Sequence, residues 1–128
     1  MKVTLAKTAG FCFGVDRAVS LVEEAVAAGK RVSTLGPIIH NRHVMVHFAA
    51  EGVRELSEPE EAAAGTTVVI RSHGVSRNVY ERLSRRGVEI VDATRPFVKR
   101  IHKLVIRGEA QGRVPVIIGT PTHPEVQA

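Results

Sequence analysis

The sequence is poor in the residues on which several protein classes depend. It holds no tryptophan, one tyrosine and four phenylalanines, which leaves little material for the aromatic stacking platforms that bind single-stranded nucleic acid. Its single cysteine, Cys12, excludes an internal disulfide and suits a reducing compartment, so a cytoplasmic location is expected. No apolar run reaches membrane-spanning length, and Lys7 interrupts the N-terminus before a signal-peptide core could form. A Walker lysine loop, a GxGxxG fingerprint, a Pro/Gly/Ser-rich linker and an internal repeat are all missing, so the ordinary nucleotide-binding signatures do not apply.

What remains is an average folding composition. The chain has 128 residues, 44% of them hydrophobic and 24% charged, which supports one α/β domain over residues 1–128. A net charge of +5 favours an anionic partner through long-range attraction.

Short β-rich runs alternate with stretches of helical spacing, the order of an open, mainly parallel sheet with crossover helices. The runs fall at residues 3–6, 32–35, 53–56, 67–71, 88–91 and 114–118. Val15, Ala18, Val19, Val22, Ala25 and Val26 predict an amphipathic helix that stops at Gly29. Val44, Met45, Phe48 and Ala49 predict a second, ending at Gly52, and Val79, Tyr80 and Leu83 a third, opened by Ser76 and closed at Gly87. A fourth begins near Pro96 and turns Phe97, Ile101, Leu104 and Val105 to one side. Residues 58–64 read as a short helix or loop. Too few residues follow the run at 114–118 for another crossover helix, so the chain is expected to be one part of a longer protein.

The chemically useful side chains share a place: each follows a predicted strand. Cys12 follows the first, His40 and Asn41 the second, His73 the fourth, Thr94 and Arg95 the fifth, His123 and Glu125 the sixth. In open parallel sheets these ends face one crevice, where ligands bind. Imidazoles, the Asn41 amide, the hydroxyls of Ser72 and Thr120 and free helix-start N–H groups can together hold a phosphate or diphosphate. Loop histidines are often merely polar; it is the set of His40, His73 and His123 that points to an anion site. His43, His47 and His102 lie within helical stretches and read as surface or packing residues. Cys12, between Gly10 and Gly14 at a helix start, is placed for thiolate character, against the plainer reading of an inert buried cysteine. Lys99, Lys103 and Arg107 read first as a solvated helix face.

The strand-end motifs resemble those of the 4-hydroxy-3-methylbut-2-enyl diphosphate reductase family. The matching segments are Gly10-Phe11-Cys12-Phe13-Gly14-Val15-Asp16-Arg17-Ala18, Ile39-His40-Asn41-Arg42, Arg71-Ser72-His73-Gly74-Val75-Ser76, Val91-Asp92-Ala93-Thr94 before Pro96, and His123-Pro124-Glu125-Val126. Their order and spacing cover nearly the whole chain. The resemblance implies the first of three similar α/β domains around a central 4Fe-4S cluster. It also implies reductive dehydroxylation of an allylic diphosphate to isopentenyl and dimethylallyl diphosphate in the methylerythritol phosphate route to isoprenoids, with ferredoxin or flavodoxin as electron donor. By motif, Cys12 would be a cluster ligand; His40, His73 and His123 would bind the diphosphate; and Glu125, with His123, would serve proton delivery. Where the family has its second cluster cysteine this chain has Arg95, and the third lies in later domains. The ligand set here is therefore incomplete, and the isolated chain is expected not to turn over substrate.

Two other readings stay open: a non-catalytic diphosphate-binding module that has lost the cluster, and a basic nucleic-acid-binding domain supported only by charge. A domain interface left bare would favour self-association.

Overall fold

The computed structural model describes residues 1–128. Its elements are α1 (Phe13–Ala27), β1 (Val32–Leu35), α2 (Arg42–Ala50), β2 (Arg54–Leu56), a 3-10 turn (Pro59–Glu61), β3 (Thr67–Ile70), α3 (Arg77–Arg85), β4 (Glu89–Asp92), α4 (Pro96–Ala110) and α5 (Pro124–Gln127). The four strands form one parallel sheet in the order β2-β1-β3-β4. The register sets Leu35 of β1 beside Ile70 of β3, and Ile70 beside Asp92 of β4, so these strands end level and their following loops emerge side by side.

All four residues of central β3 are buried, because helices cover both of its faces. Val69 joins Ala18, Val22 and Ala25 of α1 and Phe48 of α2 in one cluster. Val68 and Ile70 point the other way and join Leu35, Leu56 and Leu83 of α3. Helix α2 starts at Asn41, whose Oδ1 accepts from the N–H groups of His43 at 3.0 Å and Val44 at 3.4 Å.

Two expected strands are not formed. Residues 3–6 and 114–118 have no strand pairing, and their apolar side chains face solvent: Val3 is 79% exposed, Leu5 84%, Val114 87% and Ile118 98%. A β-branched run becomes a strand only where a neighbour accepts its ladder bonds and covers its face, and neither run lies on an edge of this sheet. The apolar side of α4 is likewise uncovered, with Phe97, Ile101 and Leu104 exposed and only Val98 buried.

Candidate functional site

The loops at the strand ends are laced together by backbone bonds. The Ser72 N–H donates to the Ile38 carbonyl at 3.3 Å, and the Arg95 N–H donates to the Ser72 carbonyl at 3.0 Å, joining the exits of β1, β3 and β4. From α1, the Arg17 guanidinium donates to the backbone carbonyls of Asp92 at 3.4 Å and Thr94 at 3.5 Å, fixing the loop that carries Arg95. On this frame opens a cavity of about 270 Å³ lined by Phe11, His40, Asn41, Ser72, His73 and Arg95 among others.

The His40 and His73 rings stand 4.8 Å apart with a 43° tilt. His73 is buried, and burial, together with the cationic charge of Arg95 and the neighbouring His40, pushes its imidazole below the ordinary histidine value. Gly74 follows in the left-handed region at φ +84°, and a Cβ there would meet His102 Cε1 and Thr94 Cγ2, both at 3.2 Å, so this turn requires glycine.

Arg95 holds the N-cap of α4. Its Nη1 lies 3.3 Å from Glu125 Oε1, with both side chains about one-third exposed (33% and 32%). At such exposure an ion pair is worth about 0–1 kcal/mol. Its Nε is buried without a partner, as is the Oγ of Ser72, itself only 1% exposed. Each such orphan costs about 1–3 kcal/mol in the ligand-free chain.

The expected residues are thus partly gathered. His40, Asn41, Ser72 and His73 share one cavity, and Glu125 reaches its border through Arg95. His123 is exposed at the start of α5, where its Nδ1 accepts from the Glu125 N–H at 3.2 Å instead of facing the cavity. Cys12 is exposed at the N-cap of α1, with no strand before it. Arg17 was legible only as part of a motif; its clamping role depends on a contact to residues more than seventy positions away, which spacing does not disclose. Lys99, expected on a solvated face, pairs with Asp92 at 2.6 Å. Burial works to raise the Asp92 carboxyl, but hydrogen bonds from Lys99, Thr94 and Tyr80 outweigh it and hold the group below its usual range. Burial and Asp92 together push the Tyr80 phenol up to about 12.

The family model described as LytB protein matches residues 3–128 of this chain. The chain belongs to the LytB protein family. Its relatives named 4-hydroxy-3-methylbut-2-enyl diphosphate reductase include proteins of a Thermoanaerobacter species and of Geobacter sulfurreducens. They are 41% and 46% identical to it over 98% and 99% of its length, and the match covers 45% of each relative. A solved structure of (E)-4-hydroxy-3-methyl-but-2-enyl diphosphate reductase, described as the terminal enzyme of the non-mevalonate pathway, matches at a TM-score of 0.83 and 43% identity, over 98% of this chain and 44% of that one. The corresponding reductase structure from Plasmodium falciparum matches at a TM-score of 0.87 and 27% identity, over 94% of this chain and 38% of that one. The LytB-family chain thus spans less than half the length of the relatives it matches. No helix in it is long and apolar enough to cross a membrane.

An iron–sulfur cluster does not fit the donors this chain supplies. Cys12 is its one thiol, and no group of three or more His, Cys, Asp or Glu side chains is placed to hold a metal ion. At position 95 stands a guanidinium, cationic and without a lone pair for iron.

Proposed function

We propose that this LytB-family chain is the diphosphate-binding N-terminal domain of a 4-hydroxy-3-methylbut-2-enyl diphosphate reductase. The full-length reaction would remove the allylic hydroxyl reductively and yield isopentenyl and dimethylallyl diphosphate for isoprenoid synthesis in the cytoplasm, with electrons from a ferredoxin or flavodoxin. The observation that carries the reading is the joining of His40, Ser72 and His73 around one cavity at the level ends of β1 and β3, in a chain matched along nearly its whole length by reductases of that name. Within it, His40 and His73 donate to the diphosphate oxygens. His123 joins them if α5 swings inward, bringing Glu125 to the hydroxyl end of the substrate for proton delivery. Cys12 is the one thiol the chain could offer a cluster, too few to hold one, and the chain by itself would not turn over substrate.

A second reading, a non-catalytic diphosphate-binding module without a cluster, is favoured by the Arg95–Glu125 pair, which occupies the carboxylate meant for proton delivery. Calorimetric titration of the 128-residue chain with the allylic diphosphate and with the matching free alcohol tests what both readings share. Binding is expected for the diphosphate only, and to be lost in His40→Ala and His73→Ala; equal binding of the alcohol would overturn it. The bare side of α4 supports self-association through Phe97, Ile101 and Leu104, and a monomer at every concentration by light scattering would refute that.

A further inference from the structure

The cavity at the strand ends contains more binding capacity than the histidines account for. Ser72 lines it, is 1% exposed, and has an Oγ with no partner. Arg95 lines it too, and its Nε has none. Each is a donor, and the two residues are tied to one another through the bond from Arg95 N–H to Ser72 carbonyl at 3.0 Å, so their side chains depart from adjacent backbone. The sole acid on Arg95 is Glu125, which approaches Nη1 at 3.3 Å; the Nε has no partner but is closed off from solvent as placed, so an anion would reach the Nε edge only as the one-third-exposed side chain turns toward the cavity. A guanidinium edge offers two parallel N–H groups that match two oxygens of a phosphate. A hydroxyl and two imidazoles around the same space complete a donor set in which no group of three metal-ligating side chains is placed to hold an ion.

We propose that Arg95, with Ser72, makes this cavity a metal-independent site for a phosphate or diphosphate group, the guanidinium taking two anion oxygens and standing as the cationic anchor at a position unable to ligate metal. The proposal rests on the diphosphate reading above for the class of ligand, and adds the residue that holds it. Glu125 then competes with the anion for Arg95, so removing its charge strengthens the site, a sign that a merely structural ion pair would not produce.

The test is calorimetric titration of the 128-residue chain with inorganic pyrophosphate, with a chelator present, on the parent chain and on Arg95→Gln, Arg95→Lys, Ser72→Ala and Glu125→Gln, each checked for folding by circular dichroism. Saturable binding is expected for the parent. Arg95→Gln should weaken it about tenfold or more, and Arg95→Lys less, because a lysine keeps the charge and loses the paired N–H groups. Ser72→Ala should weaken it about threefold and Glu125→Gln strengthen it about threefold. Unchanged affinity in folded Arg95→Gln, with binding still lost in His40→Ala, would overturn the role of Arg95 and leave the diphosphate reading standing. Absence of binding to the parent and to every variant would overturn both.

Discussion

A Cβ added to Gly14, in the first turn of α1, would stand 2.9 Å from Cγ of Arg95, so the glycine is what lets the arginine stem lie against the helix that Cys12 caps. Helical glycine ordinarily costs about 1 kcal/mol relative to alanine. Gly14→Ala therefore carries two opposed effects, a better helix former and a displaced Arg95. In an Arg95→Ala background only the first survives, and thermal unfolding should show a gain of about 0.5–1 kcal/mol. In the parent the gain should be smaller, and pyrophosphate affinity should fall as Arg95 turns away. An equal gain in both backgrounds would mean that the contact is not felt.

Protonation of His73 opposes folding and favours the anion. Its imidazole titrates below the ordinary value of 6.5, chiefly through burial and then through the charge of Arg95. The stability this neutral ring contributes is present above about 6.5 and is lost as pH falls through the lowered folded value. Anion binding has the opposite sign, since the charged ring attracts phosphate, so pyrophosphate affinity should rise as pH falls through the same window. Removing the Arg95 charge relieves part of the depression, and in Arg95→Gln the rise should begin at a higher pH. Titrations between about pH 8 and about pH 5 check both statements.

Asp92 makes an acid-labile contribution. Its carboxyl is held below its usual range despite burial, by hydrogen bonds from Lys99, Thr94 and Tyr80, and its stabilisation is present above the unfolded value of about 3.9. That part disappears as pH falls through the lower folded value. Asp92→Asn should lose about 1–3 kcal/mol near neutrality and show a flatter acid branch in a plot of melting temperature against pH. A variant that melts like the parent at neutral pH would show that the Lys99 pair contributes nothing.

The two unformed strands give the sharpest contrast in packing. Leu83 is fully buried against β3, and Leu83→Ala should cost about 2–5 kcal/mol. Ile118 is 98% exposed, and Ile118→Ser should change stability by less than about 0.5 kcal/mol. Chemical denaturation of both variants decides whether the run at 114–118 is part of the core.

The central sheet was readable because its signals are local. Val68, Val69 and Ile70 form an unbroken β-branched run bounded by turn residues, and Gly29, Gly52 and Gly87 mark where the preceding helices stop. Residues 3–6 and 114–118 carry the same signal, and nothing in it states whether a neighbouring strand exists. The same holds for α4, whose apolar spacing is real although its Phe97 side stands uncovered. At the site, the convergence of His40 and His73 followed from parallel topology alone, since both sit just past level strand ends. The position of His123 did not, because its Nδ1 is turned to the N–H of Glu125 by a local cap. The Arg95–Glu125 pair is a contact between distant segments, and the sequence offered only an arginine where a thiol was expected.

The most direct measurement of the claim that this cavity is an anion site and not a metal centre is anaerobic incubation of the chain, and of Arg95→Cys, with iron and sulfide, followed by desalting and visible absorption. With one thiol in the parent and two in the variant, neither should retain a stable iron–sulfur chromophore, while the desalted parent still binds pyrophosphate. A stoichiometric chromophore retained by the parent would contradict the account, because some other group would then be completing the coordination beside Arg95.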